Sequence, residues 1–248
     1  MYNNILIISD NKYLCEEFSK IIKEQSLDHK LFTFAISPFS KFSDFKSLTP
    51  IIYDLKKDAD IEQIITNHDL VFSIHCKQFF PEKLIDNIKC INIHPGYNPI
   101  NRGWYPQVFA IINDSIIGAT IHEIDNQLDH GAIISRVEVE KYSYDTSLSL
   151  YNRILDKEIE LLKDNLGQIL SGQYLTTIPE EEGNLYLKKD FNNLLEIDME
   201  KEYKGHQLIT KLRALSHGDF NNAFFIDHKT GKKIYINVTL NEALDEKN

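Results

Sequence analysis

The stretch Ile5-Leu6-Ile7-Ile8 decides the fold class, because four consecutive apolar residues near the start of the chain are typical of a buried parallel strand. Apolar residues then recur at Leu14, Phe18, Ile21 and Ile22, and this spacing predicts an amphipathic helix. A buried strand followed directly by a helix is the opening unit of a doubly wound α/β sheet.

The same alternation continues along the chain. Six further strand-like runs follow, and helical stretches at residues 81–88 and 106–112 separate several of them. The strand-like runs are residues 31–36, 51–53, 70–74, 90–93, 117–124 and 132–139. Strands that alternate with helices predict an α/β fold of the Rossmann-like, doubly wound type with a mostly parallel sheet.

A long amphipathic helix is predicted next, because apolar residues recur at helical spacing from Leu148 to Leu170. Asp145 is its expected N-cap, and Gly172 is its expected end. We expect this helix to cover the sheet and to complete a main domain over residues 1–178.

The C-terminal part is predicted to be a separate segment over residues 184–248, because residues 176–183 are polar, acidic and contain a proline. It contains a helical stretch at 206–215 and two strand-like runs, 223–227 and 233–240, that predict a β-hairpin. A segment with so few apolar clusters is marginal alone, so we expect it to pack on the main domain or to form a dimer interface.

The composition excludes several classes of protein. Of the 248 residues, 42% are hydrophobic and only 10 are Gly and 7 Pro, which is typical of a folded globular chain. The formal charge is 27 − 37 = −10, and this acidic excess argues against a nucleic-acid partner. Three Cys without CxxC spacing favour reduced thiols in the cytoplasm, and nine scattered His predict no metal site. We expect neither a signal peptide nor a membrane span.

Two polar side chains leave the end of the strand predicted near residues 90–94. Asn92 and His94 lie on one face of that strand, about 6–7 Å apart, because side chains alternate along a strand. Open α/β sheets place their ligand crevices at such strand ends. Asp129 follows 129 − 94 = 35 residues later, in a polar loop before Gly131. By spacing alone, a catalytic acid–histidine pair and a structural histidine with a turn aspartate are equally good interpretations.

An arginine and two aromatic residues follow in the next loop. Trp104 and Tyr105 precede Pro106 and fit a hydrophobic staple at the start of a helix. Arg102, beside the same helix start, is a candidate for holding a phosphate or a carboxylate. The first strand is followed by Ser9-Asp10-Asn11-Lys12, which is neither a GxGxxG nor a Walker sequence. The usual dinucleotide and P-loop sites are therefore not predicted.

Residues 70–140 resemble the folate-dependent formyltransferases, whose signature is Asn-x-His, a Pro-rich loop, Arg-Gly and a downstream Asp-x-Gly. The signature stands here as Asn92-Ile93-His94, Asn101-Arg102-Gly103, Gly118-Ala119-Thr120-Ile121-His122 and Leu128-Asp129-His130-Gly131. Residues 94–107, together with the tail segments 187–191 and 212–220, resemble the sugar N-formyltransferases within that family.

The resemblance implies a reaction and a set of roles. The reaction is transfer of a formyl group from N10-formyltetrahydrofolate to the amine of a dTDP-linked 4-amino-4,6-dideoxyhexose, for surface polysaccharide biosynthesis. The reaction requires no metal. The resemblance also implies a catalytic formyltransferase domain at residues 1–178 and a homodimer. The implied catalytic residues are Asn92, His94 and Asp129. The implied donor-binding residues are His75, Cys76, Lys77, Gln78, Phe79 and Asp125. The implied sugar-nucleotide residues are Asn98, Arg102, Trp104 and Tyr105.

Four alternatives share this chemistry or this fold: a dTDP-3-amino sugar as acceptor, glycinamide ribonucleotide as acceptor, a formyltetrahydrofolate hydrolase, and a non-catalytic folate or sugar-nucleotide binding module. The glycinamide ribonucleotide enzyme is expected to carry a Gly-rich phosphate loop, which Ser9-Asp10-Asn11 is not. The hydrolase shares the same three catalytic residues, so those residues do not exclude it. Because all three are present, the binding module is disfavoured.

Overall fold

A computed structural model describes residues 1–243 of the chain, and its largest element is a seven-stranded sheet. The strands are β1 (Ile5–Ser9), β2 (Phe32–Ile36), β3 (Ile51–Ile52), β4 (Leu70–Ile74), β5 (Lys89–His94), β6 (Arg102–Gly103), β7 (Gly118–Glu123), β8 (Ile133–Glu138), β9 (Leu185–Tyr186), β10 (Phe224–Ile226) and β11 (Lys233–Tyr235). The sheet order is β3-β2-β1-β4-β5-β7-β8. Strands β1 to β5 pair in parallel, and β7 runs antiparallel to β5. The predicted Rossmann-like α/β fold is confirmed.

Helices connect most of the strands. They are α1 (Lys12–Glu24), α2 (Asp58–Asn67), α3 (Glu82–Ile85), α4 (Pro106–Ile112), α5 (Ser147–Ser171), α6 (Lys188–Asn192) and α7 (Gly205–Leu215). Helix α1 begins where the side chain of Asn11 accepts a hydrogen bond from the Leu14 amide. Helix α5 ends before Gly172, whose φ of +71° is the left-handed conformation that glycine adopts without strain.

The structure departs from the sequence predictions in three places. Thr146, not Asp145, caps α5, because its hydroxyl accepts the Ser149 amide while the Asp145 carboxylate binds the Arg153 guanidinium. Helix α2 was not predicted. The second hairpin strand, predicted to run to residue 240, ends in the structure at β11, while residues 244–248 lie outside the described part of the chain.

The chain forms two compact units from interleaved segments. The first contains residues 1–94, 119–137 and 155–182, and the second contains residues 95–118, 138–154 and 183–248. In the first unit the core includes side chains of β1, β4 and α2, and in the second it includes side chains of α4, α7 and the start of α5. The chain re-enters the second unit at Gly183, while the division into domains 1–178 and 184–248 stays a prediction.

The first unit brings several strand ends together. Strands β1, β4 and β5 are neighbours and run in the same direction, so their carboxyl ends share one edge of the sheet. Asp10, His75 and His94 occupy these three strand ends. None of the helices within residues 1–243 combines the length and the apolar character needed to cross a bilayer.

Candidate active site

The end of β5 presents the two polar residues predicted from the alternation of side chains. Strand β5 pairs with β7 in a register that sets Asn92 opposite His122 and His94 opposite Thr120. His94 is buried, and the Asn92 amide is partly buried. The strand therefore holds both side chains in fixed positions on one face of the sheet.

Asp129 completes the group of three predicted catalytic residues. Its Oδ1 accepts a hydrogen bond of 3.0 Å from Asn92 Nδ2, and its Oδ2 lies 3.5 Å from His94 Nδ1. Its backbone has a φ of +49°, which is strained for a residue with a side chain. Such strain persists where the surroundings fix the residue, so the loop presents this carboxylate to the end of β5 in a defined geometry.

Gly131 lies two residues after Asp129, where the loop passes very close to the end of β7. A β-carbon at this position would lie 1.9 Å from the carbonyl oxygen of Glu123, at the end of β7. The chain therefore approaches the strand so closely that only glycine fits.

His122, which lies in the family signature but has no predicted role, is a further partner of the group. Its Nδ1 lies 2.7 Å from the Glu123 carbonyl oxygen, to which it donates, so Nε2 has a lone pair that accepts from Asn92 Nδ2 at 3.2 Å. Both N–H groups of the Asn92 amide thus have protein partners, and donation to a bound carbonyl oxygen requires one of these bonds to open.

The electrostatic state of His94 follows from its burial. Burial lowers the pKa of His94 to about 4, with His122 and His75 acting in the same direction and the Asp129 carboxylate opposing them. The ring is therefore neutral at pH 7. Its Nε2 is buried and has no hydrogen-bond partner among residues 1–243. With Asp129 beside Nδ1, the neutral ring carries its proton there and leaves Nε2 as an available base.

A second acid–imidazole pair lies at the end of β4. His75, with a φ of +51°, donates from Nε2 to both carboxylate oxygens of Glu158, each at 2.9 Å. Glu158 belongs to α5, and burial raises the pKa of its carboxyl group. Sequence reasoning missed Glu158, although a signal existed: its position four residues from Ile154 and from Leu162 assigns it to the apolar face of the helix.

The rest of the predicted donor-binding loop is divided between anchoring and exposed residues. Gln78 bonds the backbone of Tyr53 and Leu55, so its amide fixes the shape of the loop. Burial raises the pKa of Cys76 to about 12, which leaves an unreactive thiol. Lys77 and Phe79 are exposed, the latter to 61%, and both are accessible to a ligand.

Asp125, the last predicted donor-binding residue, lies after β7. Its carboxylate accepts from the Gln127 amide at 2.9 Å and lies 2.6 Å from His130 Nδ1. It therefore organises the loop that carries Asp129. Within the described residues, no group of three or more His, Cys, Asp or Glu side chains is arranged to hold a metal ion.

Asp10 ties three of the first unit's loops together. Its Oδ1 accepts from the amide and hydroxyl of Ser37 and from the Ser40 hydroxyl, and its Oδ2 accepts from the Lys77 amide at 2.7 Å. The loops after β1, β2 and β4 are thereby joined at one carboxylate.

The four residues predicted to bind a sugar nucleotide belong to the second unit. Asn98 and Arg102 are buried there, and the Arg102 amide donates to the Asn184 carbonyl oxygen. Trp104 is 40% exposed and is accessible to a ligand. The Tyr105 ring packs against Phe191 at a centroid distance of 4.0 Å, so much of its surface serves the core of this unit.

The chain is similar to known formyltransferases in sequence and in structure. The Formyl transferase family matches residues 40–166, and the N-formyltransferase dimerization C-terminal domain matches residues 190–242. The chain is 48% identical to the dTDP-4-amino-4,6-dideoxyglucose formyltransferase of Mycobacterium tuberculosis over 180 residues, which cover 73% of this chain and 76% of that protein.

Two crystal structures are similar over nearly the whole chain. One is a sugar N-formyltransferase from a Shewanella species, with a TM-score of 0.92, 38% identity, and coverage of 97% of this chain and 99% of the other. The second is a 4-N formyltransferase from Francisella tularensis, with a TM-score of 0.89, 36% identity and the same coverage.

Proposed function

The chain belongs to the formyl transferase family, and from this premise we propose that it transfers the formyl group of N10-formyltetrahydrofolate to the amine of dTDP-4-amino-4,6-dideoxyglucose. The observation that carries the proposal is the Asn92–His94–Asp129 group, in which a buried, neutral imidazole has an available Nε2. Similarity to a relative named for this acceptor, and to one named as a 4-N enzyme, supports an amine at carbon 4.

His94 accepts the proton that the acceptor amine loses. The amine nitrogen attacks the formyl carbon, and its proton moves to Nε2 while the Nδ1 proton stays beside Asp129. The carboxylate stabilises the imidazolium that forms. The bond between the formyl carbon and N10 then breaks, its electron pair stays on N10, and N10 takes up the proton held by His94, which returns the ring to its neutral form.

Asn92 stabilises the charge that develops on the formyl oxygen. One N–H of its amide turns from its protein partner to that oxygen as the tetrahedral intermediate forms, and the other keeps the amide in place. His122 is the partner that Asn92 leaves most readily, because its 3.2 Å bond is neutral while the bond to Asp129 is charge-assisted.

The binding roles and the assembly are part of the proposal. The donor contacts are assigned to the loop of residues 75–79 and to the loop of Asp125, where exposed side chains and backbone are available. The sugar nucleotide is assigned to Asn98, Arg102, Trp104 and Tyr105. The match of residues 190–242 to a dimerization domain supports a homodimer formed through the C-terminal segment.

The test is mass spectrometry of the purified protein with N10-formyltetrahydrofolate and a panel of acceptors. The panel contains dTDP-4-amino- and dTDP-3-amino-dideoxyhexoses, a UDP-4-amino-pentose, glycinamide ribonucleotide and no acceptor. We expect formylation of the dTDP-4-amino sugar, lost by a hundredfold or more in Asn92→Ala and His94→Ala and unchanged in His29→Ala, an exposed histidine.

Other outcomes would replace the proposal. Formylation of another acceptor would reassign the substrate, and formate release without an acceptor would identify a hydrolase. No turnover with any acceptor, together with folate or sugar-nucleotide binding, would identify a binding module.

A further inference from the structure

Glu158 is a buried carboxylate that the mechanism above does not use. Its side chain is 1% exposed, and it projects from α5 at a position that Ile154 and Leu162 define as the apolar face of the helix. Aspartate and glutamate are almost never fully buried unless they are paired. A leucine at this position would serve the packing of the helix without the cost of removing a carboxylate from water.

The partner of this carboxylate is a residue at the edge of the candidate active site. Both oxygens of Glu158 accept from Nε2 of His75, at 2.9 Å each, and the His75 side chain is 12% exposed. The bond ties the His75 ring to α5 through Nε2. The ring orientation of His75 is therefore set by Glu158.

His75 also lies beside the catalytic histidine. The parallel register pairs Ile74 of β4 with Ile93 of β5, so His75 and His94 are the next residues on neighbouring strand ends. His75 influences the protonation of His94, since it contributes to lowering the pKa of that ring. The left-handed backbone of His75, at a φ of +51°, is a further sign that its position is held against a local cost.

We propose that Glu158 is a positioning residue for formyl transfer, which holds the His75 ring by Nε2 at the strand end next to His94, on the donor side of the site. This inference rests on the proposed function, because it concerns the donor side of the same site. In this proposal the His75 ring has one hydrogen-bonding orientation, and Glu158 affects the reaction only through that ring.

A purely structural role makes a different prediction. If the pair only stabilised the fold, replacing Glu158 would lower the melting temperature and leave the kinetic constants of the folded enzyme unchanged. If Glu158 positions His75, the loss appears in the steps that involve the donor. It then does not add to the loss caused by replacing His75, because the two residues act as one unit.

The experiment compares wild type with Glu158→Gln, His75→Gln and the double variant, at a temperature where all are folded by circular dichroism. Glu160→Gln is the matched control, since Glu160 lies on the same helix and is exposed. The readouts are kcat and KM for N10-formyltetrahydrofolate and for the preferred amino sugar. A separate readout is the Kd of 5-formyltetrahydrofolate, an unreactive donor analogue, by calorimetry.

We expect kcat/KM for the donor to fall at least tenfold and the Kd of 5-formyltetrahydrofolate to rise at least tenfold in each single variant. The KM of the amino sugar should change less than twofold, and the double variant should be no worse than His75→Gln. Wild-type kinetics and affinity in Glu158→Gln would overturn the proposal, as would losses that add in the double variant. If Glu158→Gln does not fold, wild-type donor constants in His75→Gln would overturn it equally.

The proposed function fails in a distinguishable way. A wild-type protein that binds 5-formyltetrahydrofolate but formylates no amino sugar would refute the function, while the affinities of the variants would still decide the role of Glu158. A wild-type protein that binds no folate would overturn both.

Discussion

Acidification from pH 7 to pH 4 is expected to destabilise this protein through His94. In the unfolded chain the ring takes up a proton near pH 6.5, whereas in the folded chain burial lowers its pKa to about 4. The unfolded state therefore binds more protons between these values, and the free energy of unfolding falls as the pH falls. The full difference corresponds to about 3.5 kcal/mol, at about 1.4 kcal/mol for each step of one in pKa. About 3 kcal/mol of it is lost between pH 7 and pH 4, because the folded ring itself takes up a proton near pH 4.

The assay is urea denaturation at pH steps from 7 to 4, for wild type and for His94→Gln. The glutamine cannot take up a proton, and other titrating groups are common to both proteins. The stability advantage of wild type over the variant should therefore shrink by about 3 kcal/mol across this range, with most of the loss between pH 6.5 and 4. An advantage that stays constant with pH would refute the conclusion that His94 is buried and neutral.

Two further predictions follow from the loop that carries Asp129. Asp129→Asn should lower kcat for formyl transfer by about 10²–10⁴-fold with little change in KM, measured by steady-state kinetics, because the amide can no longer stabilise the His94 imidazolium; a change under threefold would contradict this role. Gly131→Ala should reduce the melting temperature strongly, because its β-carbon would lie 1.9 Å from the Glu123 carbonyl oxygen. Gly167→Ala, in α5 with no atom within 4 Å of the new carbon, should instead stabilise by about 0.5–1 kcal/mol; equal effects of the two substitutions would refute the packing argument.

The sequence predicts best those site residues whose positions follow from a local pattern. Asn92 and His94 are separated by one apolar residue in a strand, so alternation alone places them on one face, and the structure has them there. Asp129 is different, because spacing left it equally well explained as a turn residue. Its assignment came from the resemblance to a family, since a left-handed backbone at a non-glycine residue has no clear sequence signal.

The residues that the sequence analysis missed depend on contacts between distant segments. His122 reaches Asn92 because β7 pairs antiparallel with β5 in one particular register, which the sequence does not specify. Glu158 meets His75 across 83 positions of chain. The position of Glu158 on the apolar face of a predicted helix indicates that it is buried. Nothing in the sequence indicates which residue pairs with it. The prediction that Asp145 caps α5 is wrong in the opposite way. Its side chain suits an N-cap, but in the structure it forms an ion pair with Arg153.

The bonded carboxylate of Asp10 has a consequence for how this enzyme engages its substrates. Because Asp10 already gathers Ser37, Ser40 and Lys77, the loops that they belong to are ordered before any ligand arrives. Preorganised loops lose little conformational freedom on binding, so ordering them costs little binding free energy. The Asp10 carboxylate thus holds the loop after β1 in one conformation, and we expect that conformation to stay the same when a ligand binds.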